Sequence, residues 1–323
     1  MEILDTLLGK ARGRNKTVVF PEGTDTRIIE AACSLNKGGI VKPLLVGNAE
    51  EIASIAKKGD FSLSGIETAD PLLYENYAGL AELYCSNRPR VKIRVAEKLL
   101  RKNLLFGGML LASGKADALV AGAASTTASV IQAAALTAGY EKGISTPSSF
   151  FIMFLPDGQL FFYADCALNI DPDSLQLAEI AVATAGSFQK LTGETPKVAF
   201  LSFSTRGSAS HPLADKVQKA VQAAREKRPG ILFDGEFQAD TAISERVAKK
   251  KLKDFSPVAG SANILIFPDL NAGNIAYKLT QYLAKATALG PILQGFGKPV
   301  SDLSRGATVK DIMGVAAITS LLA

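Results

Sequence analysis

The residues of this chain best suited to chemistry stand close to its C-terminal end. Asp302-Leu303-Ser304-Arg305-Gly306 sets a hydroxyl beside a guanidinium, and Asp311 follows seven residues after Ser304. A guanidinium binds an oxyanion with a rigid fork of donors, a hydroxyl can donate to a developing negative charge, and a carboxylate can accept a proton. The same residues also read as a helix start. Thr308, three residues before Asp311, has the spacing of a capping box, and a carboxylate in a first helical turn gains ~0.3–1 kcal/mol from the helix dipole. From these residues alone both readings stand.

Other chemistries are poorly supplied. The only histidine is His211, directly before Pro212. A Ser-His-Asp triad would have to use it, and it reads as an exposed loop residue. Histidine-rich metal sites are therefore excluded, and no paired-cysteine motif of the zinc type occurs, so no metal ligand set is expected. The stretch from Gly108 to Lys115 resembles a phosphate-binding P-loop but has five residues between its glycines. It also has Ala116 where Ser or Thr is required, and it precedes a strand instead of following one. No G-x-G-x-x-G follows a strand, so a dinucleotide fingerprint is missing. Cys166, after Asp165, reads as a buried structural cysteine.

The elements that must position such residues alternate along the chain. Continuous apolar runs of β type lie at Thr17–Pro21, Lys42–Val46, Ala118–Ala121, Ser149–Leu155, Leu160–Ala164, Val198–Phe203 and Ile264–Pro268. Helical patterns cover Asp25–Asn36, Asp173–Leu191, Pro212–Arg228, Asn274–Leu289 and Thr308–Leu322. Runs without polar alternation mark parallel strands buried on both faces, and their alternation with helices implies an α/β fold with mostly parallel sheets. Ser149–Leu155 and Leu160–Ala164 flank Pro156-Asp157-Gly158-Gln159 and read as a β-hairpin, with a second domain beginning near Gly143.

Four junctions leave a strand through small or polar residues and enter a helix. They are Pro21-Glu22-Gly23-Thr24; Gly122 to Ser125, Thr126 and Thr127; Ser204-Thr205-Arg206-Gly207-Ser208; and Asp269 to Asn271, Gly273 and Asn274. Free N–H groups at a helix start suit an anion, and Arg27 and Arg206 add fixed charge beside two of them. Any one of them reads first as a plain N-cap, and it is the four together that point to a phosphate at one or more.

Composition bounds the class. The 323 residues are comfortable for two hydrophobic cores, and 47% apolar with 21% charged residues is ordinary for a globular protein. Net charge is +5, which favours anionic ligands or simply solubility. Much of the excess sits in Arg246 to Lys253 and reads as a solvated face. No basic stripe with interleaved aromatics points to nucleic acid. No apolar run reaches the ~18 residues of a membrane span. The start, Met1-Glu2-Ile3-Leu4-Asp5, is acidic where a signal peptide is basic. Three scattered cysteines, Cys33, Cys85 and Cys166, fit a reducing cytoplasm.

Longer segments carry a resemblance. Ser256–Tyr277, Gly290–Gly306, Asp234–Ala242 and Ser204–Ala209 resemble the phosphate acetyl/butyryltransferase family, and the likeness covers essentially the full length. That family transfers an acetyl group reversibly between acetyl phosphate and coenzyme A. The resemblance implies a two-domain α/β protein related in fold to isocitrate and isopropylmalate dehydrogenases, with its active site in the interdomain cleft. Residues 1–143 with 292–323 would form the first domain and 144–291 the second. It also implies a homodimer, with coenzyme A as a substrate and no tightly bound cofactor.

By the family pattern, Asp311 matches the general base for the thiol, Ser304 the hydroxyl that stabilises the transition state, and Arg305 the arginine that holds acetyl phosphate. An ordinary aspartic acid titrates near ~3.9 and a thiol near ~8.5, so the transfer is uphill by about 6 kcal/mol. Asp311 is therefore expected to work only in a closed, desolvated site. The anion-binding junctions are expected to meet phosphate.

One position departs from the pattern, and one family arginine has two candidates here. Gln132 stands where family members commonly carry arginine. A neutral hydrogen bond is worth ~1 kcal/mol against ~1.5–3 for a charged one, so one phosphate, on coenzyme A, is expected to bind more weakly by ~10-fold or more. A conspicuous family arginine matches Arg88, with Arg90 as the alternative.

Overall fold

The computed structural model describes residues 2–323, with side chains from Asp5 onward. Met1 and the side chains of Glu2, Ile3 and Leu4, part of the acidic start, lie outside the described residues. The chain divides into two compact units, Met1–Lys142 with Phe296–Ala323, and Gly143–Gly295.

The first unit begins with α1 (Glu2–Ala11), β1 (Thr17–Phe20), α2 (Thr26–Lys37), β2 (Lys42–Val46), α3 (Ala49–Lys58) and β3 (Glu67–Ala69). It continues through α4 (Tyr77–Ser86), α5 (Ile93–Leu99), α6 (Asn103–Ala112), β4 (Ala118–Ala121) and α7 (Thr127–Thr137). The second unit holds β5 (Ser148–Phe154), β6 (Leu160–Ala164), α8 (Ser174–Thr192), β7 (Lys197–Leu201), α9 (Pro212–Lys227) and β8 (Leu232–Phe237). It ends with α10 (Ala239–Ile243), α11 (Glu245–Lys251), β9 (Ile264–Ile266), α12 (Leu270–Leu283) and β10 (Thr287–Gln294). The chain then returns to the first unit with β11 (Val300–Asp302) and α13 (Val309–Leu322).

In the first unit the strands run in the order β3-β2-β1-β4-β11, and every pair is parallel. Val18, Val19 and Phe20 on β1 and all four residues of β4 are buried, because helices cover both faces. Helix α13 presents Ile312, Val315, Ala316 and Ile318 to this core and packs on α1, α2 and β4. In the second unit the order is β10-β5-β6-β9-β7-β8. There β5 pairs antiparallel with β6 and β10, while the β6, β9, β7 and β8 pairings are parallel. The α/β class with mostly parallel pairing and the hairpin at residues 155–159 are both present, and Gly158 takes φ +90 in its turn.

The sequence reading erred at α12. The helix expected over Asn274–Leu289 begins at Leu270, capped by the Asp269 carboxylate on the Ala272 N–H, and ends at Leu283. Residues 287–294 form β10 instead, which passes through Gly290-Pro291 with a register irregularity. The Ala- and Leu-rich run shows no breaker before Gly290, so its helical period hides the change to strand. Strands β3, β8, β10 and β11 were not anticipated. Two are three residues long, and β8 carries Asp234, Gly235 and Glu236, which have poor strand propensity.

Candidate active site

Ser304 and Arg305 lie on the exposed turn between the carboxyl end of β11 and α13. The Ser304 carbonyl accepts from the Ala307 N–H, and its hydroxyl accepts from the Gly306 N–H at 3.3 Å. Asp311 forms the expected capping box. Its Oδ2 accepts from the Thr308 N–H at 2.9 Å and the Thr308 hydroxyl at 2.7 Å, and its own N–H donates to that hydroxyl. Both bonds to the carboxylate use one oxygen. Oδ1 takes no part in the cap, so the same residue can start the helix and accept a proton.

The turn is anchored from below by Arg27. Its Nη1 donates to the carbonyls of Arg305 at 2.8 Å and Ala307 at 3.0 Å. Its Nη2 donates to the Ala123 carbonyl and to Asp25, and its Nε donates to Asp25. All five guanidinium N–H groups are thus engaged. Burial pushes the Asp25 carboxyl up, but the Arg27 hydrogen bonds outweigh it and hold the group below its ordinary value. Arg27 was expected to meet substrate phosphate; it is instead a clamp that fixes the Ser304–Arg305 turn.

The small-residue junctions are corrected in the same sense. The N–H groups of Gly122 and Ala123 donate to one oxygen of the Glu22 carboxylate, and those of Ala124 and Ser125 to the other, at 2.7–3.0 Å. Thr126 caps α7 through the Ser129 N–H, and the Thr127 hydroxyl donates to Asp302 at 2.5 Å. In the second unit Glu236 plays the part of Glu22. It accepts from the buried Ser204 hydroxyl at 2.7 Å and the Gly207 N–H at 2.8 Å. The Thr205 hydroxyl accepts from Gln238, and Arg206 is paired with the buried Asp234 at 2.7 Å. Gly273 is buried against the Asp165 carbonyl, where a Cβ would approach to 2.3 Å, and Asn274 donates to the Cys166 carbonyl. Asn271 is exposed in the first turn of α12. Ser125, Thr127, Ser204, Thr205, Gly273 and Asn274 are therefore committed, wholly or in part, to internal bonds or packing. The protein's own carboxylates occupy anion nests that an isolated junction would leave open.

A cavity lies within each unit. In the second, Arg206 joins Lys251 and Lys253 in the wall of a space of about 760 Å³. In the first, Gln132, Ser125, Ser129 and Lys102 help to line a space of about 700 Å³. Arg88 lies outside that wall; it donates to the Ala135 carbonyl of α7 at 2.7 Å and sits over the Tyr84 ring, whereas Arg90 is exposed.

Sequence reasoning gave no role of their own to Glu22, Glu236, Lys102 and Asp302. Asp302 is 1% exposed, at the end of β11. Its Oδ1 has no hydrogen-bond partner and faces Gly122. Burial, with the nearby Glu22 charge, raises its carboxyl to about 6, against the opposing pull of the Thr127 hydroxyl and the Leu303 N–H. A glutamate between Pro and Gly after a strand, and an aspartate at a strand's end, were the available signals. Nothing local joins Glu22 to residues a hundred positions away. Among the described residues no cluster of His, Cys, Asp or Glu could hold a metal ion, and no helix is long and apolar enough to cross a membrane.

Comparison with known proteins gives this geometry its context. The family model described as phosphate acetyl/butaryl transferase matches residues 2–320. A phosphate acetyltransferase of Acetivibrio thermocellus is 46% identical over 100% of this chain and 98% of its own length. That of Bacillus subtilis is 42% identical over 99% of this chain and 98% of its own. A solved phosphotransacetylase from Streptococcus pyogenes superposes with a TM-score of 0.94 at 39% identity, covering 99% of this chain and 98% of that one. A 4-hydroxythreonine-4-phosphate dehydrogenase from Klebsiella pneumoniae shares the fold alone, with a TM-score of 0.58 at 12% identity over 94% of this chain and 98% of that one.

Proposed function

The chain belongs to the phosphate acetyl/butaryl transferase family, and on that premise we propose that it transfers an acetyl group reversibly between acetyl phosphate and coenzyme A at the Ser304–Arg305–Asp311 turn. The observation that carries this reading is the turn itself. Arg27 holds the backbone of a turn that carries an exposed hydroxyl and guanidinium, and the first turn of the next helix carries a carboxylate with an oxygen left outside its cap.

In the forward step the thiol sulfur attacks the acetyl carbonyl carbon. The C–S bond forms as the thiol proton passes to Asp311, and a tetrahedral oxyanion develops. Ser304 donates to that charge, while Arg305 holds the phosphoryl oxygens in its planar fork. The adduct then collapses, the bond between carbon and the phosphate oxygen breaks, and phosphate leaves with the electron pair. An ordinary carboxylate is too weak a base for a free thiol by about 6 kcal/mol. The proton therefore moves in concert with attack, and the Arg305 charge favours the developing thiolate. Holding both substrates in line supplies much of the remaining rate. None of these steps uses a tightly bound cofactor or a metal.

The assay is acetyl-CoA formation from acetyl phosphate and coenzyme A, run beside propanoyl and butyryl phosphates. Acetyl phosphate is expected to give the highest kcat/KM; turnover with none of the three would overturn the reading. We place the enzyme in the cytoplasm as a homodimer. Three free cysteines support the first, and the exposed Ile275, Leu279, Tyr282 and Leu283 on α12 support the second.

A further inference from the structure

The cavity beside Gln132 contains a cation of its own. Its wall includes two carboxylates, but neither is free to repel an anion at full strength. Each oxygen of Glu22 accepts two backbone N–H groups, and Asp25 is held by Arg27. One lysine or arginine is present in that wall, Lys102. It precedes α6 at the N-cap position, is exposed, and makes no side-chain capping bond. It takes part in none of the ion pairs seen among the described residues. Its neighbour Arg101 interacts with Tyr77 instead. Leu99, Leu104 and Leu136 give the same space an apolar side. A cavity of this size with one free cation, hydroxyls and an apolar face suits the nucleotide end of a phosphorylated ligand.

We propose that Lys102 supplies the positive charge for a nucleotide phosphate of coenzyme A in the cavity whose wall it shares with Gln132. This rests on the reaction proposed above, and it changes one expectation. A tenfold loss of affinity at Gln132 assumes no other cation in the wall. With Lys102 present, Gln132→Arg alone shifts the KM for coenzyme A by less than threefold. A lysine is a point charge on a flexible stem and reaches a phosphate without the fixed geometry of a guanidinium.

Lys102→Met keeps the stem and removes the charge. It is expected to raise the KM for coenzyme A about tenfold, with a much smaller change in kcat. The KM for pantetheine, which carries the same thiol arm without phosphate or nucleotide, should not move. Gln132→Arg added to Lys102→Met should return the coenzyme A value to within threefold of the parent. The proposal fails if Lys102→Met leaves the KM for coenzyme A within twofold, if the pantetheine value rises equally, or if the second substitution restores nothing. Calorimetric binding of coenzyme A to the same proteins gives the readout without turnover. A parent that binds coenzyme A but forms no acetyl-CoA would contradict the proposed reaction while leaving Lys102 fully testable.

Discussion

At the scale of single residues, the chemistry depends on which polar atoms the protein leaves unspent. Asp311 spends one oxygen on its cap, and Arg27 spends every donor inside the protein, two of them on the turn it holds. Asp302 is the opposite case, a buried carboxylate with an oxygen that bonds to nothing. Its folded-state value of about 6 lies above the ordinary 3.8. The folded protein therefore binds the proton more tightly than the unfolded chain. The resulting stability is fully present below about pH 4 and is lost as pH rises through about 6, for a total of roughly 3 kcal/mol. Asp302→Asn should remove that slope. Urea unfolding at pH 5 and pH 8 should show the parent losing stability relative to the variant on going to pH 8. Equal differences at both pH values would mean that Asp302 is not protonated in the folded state.

At the scale of elements, strands and caps were legible where local signals suffice. The buried apolar runs gave β1, β2, β4, β5 and β6 almost to the residue, and Thr308 with Asp311 gave the start of α13. What the sequence could not display were pairings across long separations. Glu22 filling the nest at residues 122–125, and Glu236 bonding Ser204 and Gly207, turned apparent phosphate sites into internal braces. The short β11 was hidden because Val300–Asp302 is strand only by pairing with β4. Gly122 is the element-level hinge of this arrangement. It takes φ +109, and a Cβ there would lie 2.6 Å from the Leu303 nitrogen and 2.2 Å from Asp302 Oδ1. Gly122→Ala should destabilise the protein by on the order of 2–4 kcal/mol and lower kcat by displacing the Ser304 turn. A melting temperature and turnover equal to those of the parent would refute the close approach of these two segments.

At the scale of the whole molecule, a net charge of +5 suits an enzyme whose two substrates are both phosphates. The exposed Leu279 and Leu283 on α12 bear on assembly. The proposed homodimer predicts that Leu279→Lys combined with Leu283→Lys shifts the mass read by light scattering from dimer to monomer, and a parent of monomer mass would overturn it. An unshifted dimer would place the interface elsewhere. The central claim, that this chain makes acetyl-CoA with Asp311 as its base, is tested most directly by steady-state turnover of Asp311→Asn beside Thr308→Ala. Both variants weaken the same helix cap, by ~1 kcal/mol, but only the first removes the carboxylate. The account predicts that Asp311→Asn loses on the order of a hundredfold or more in kcat while Thr308→Ala stays within a few fold of the parent. Near-normal turnover by Asp311→Asn, or an equal loss in both variants, would contradict it.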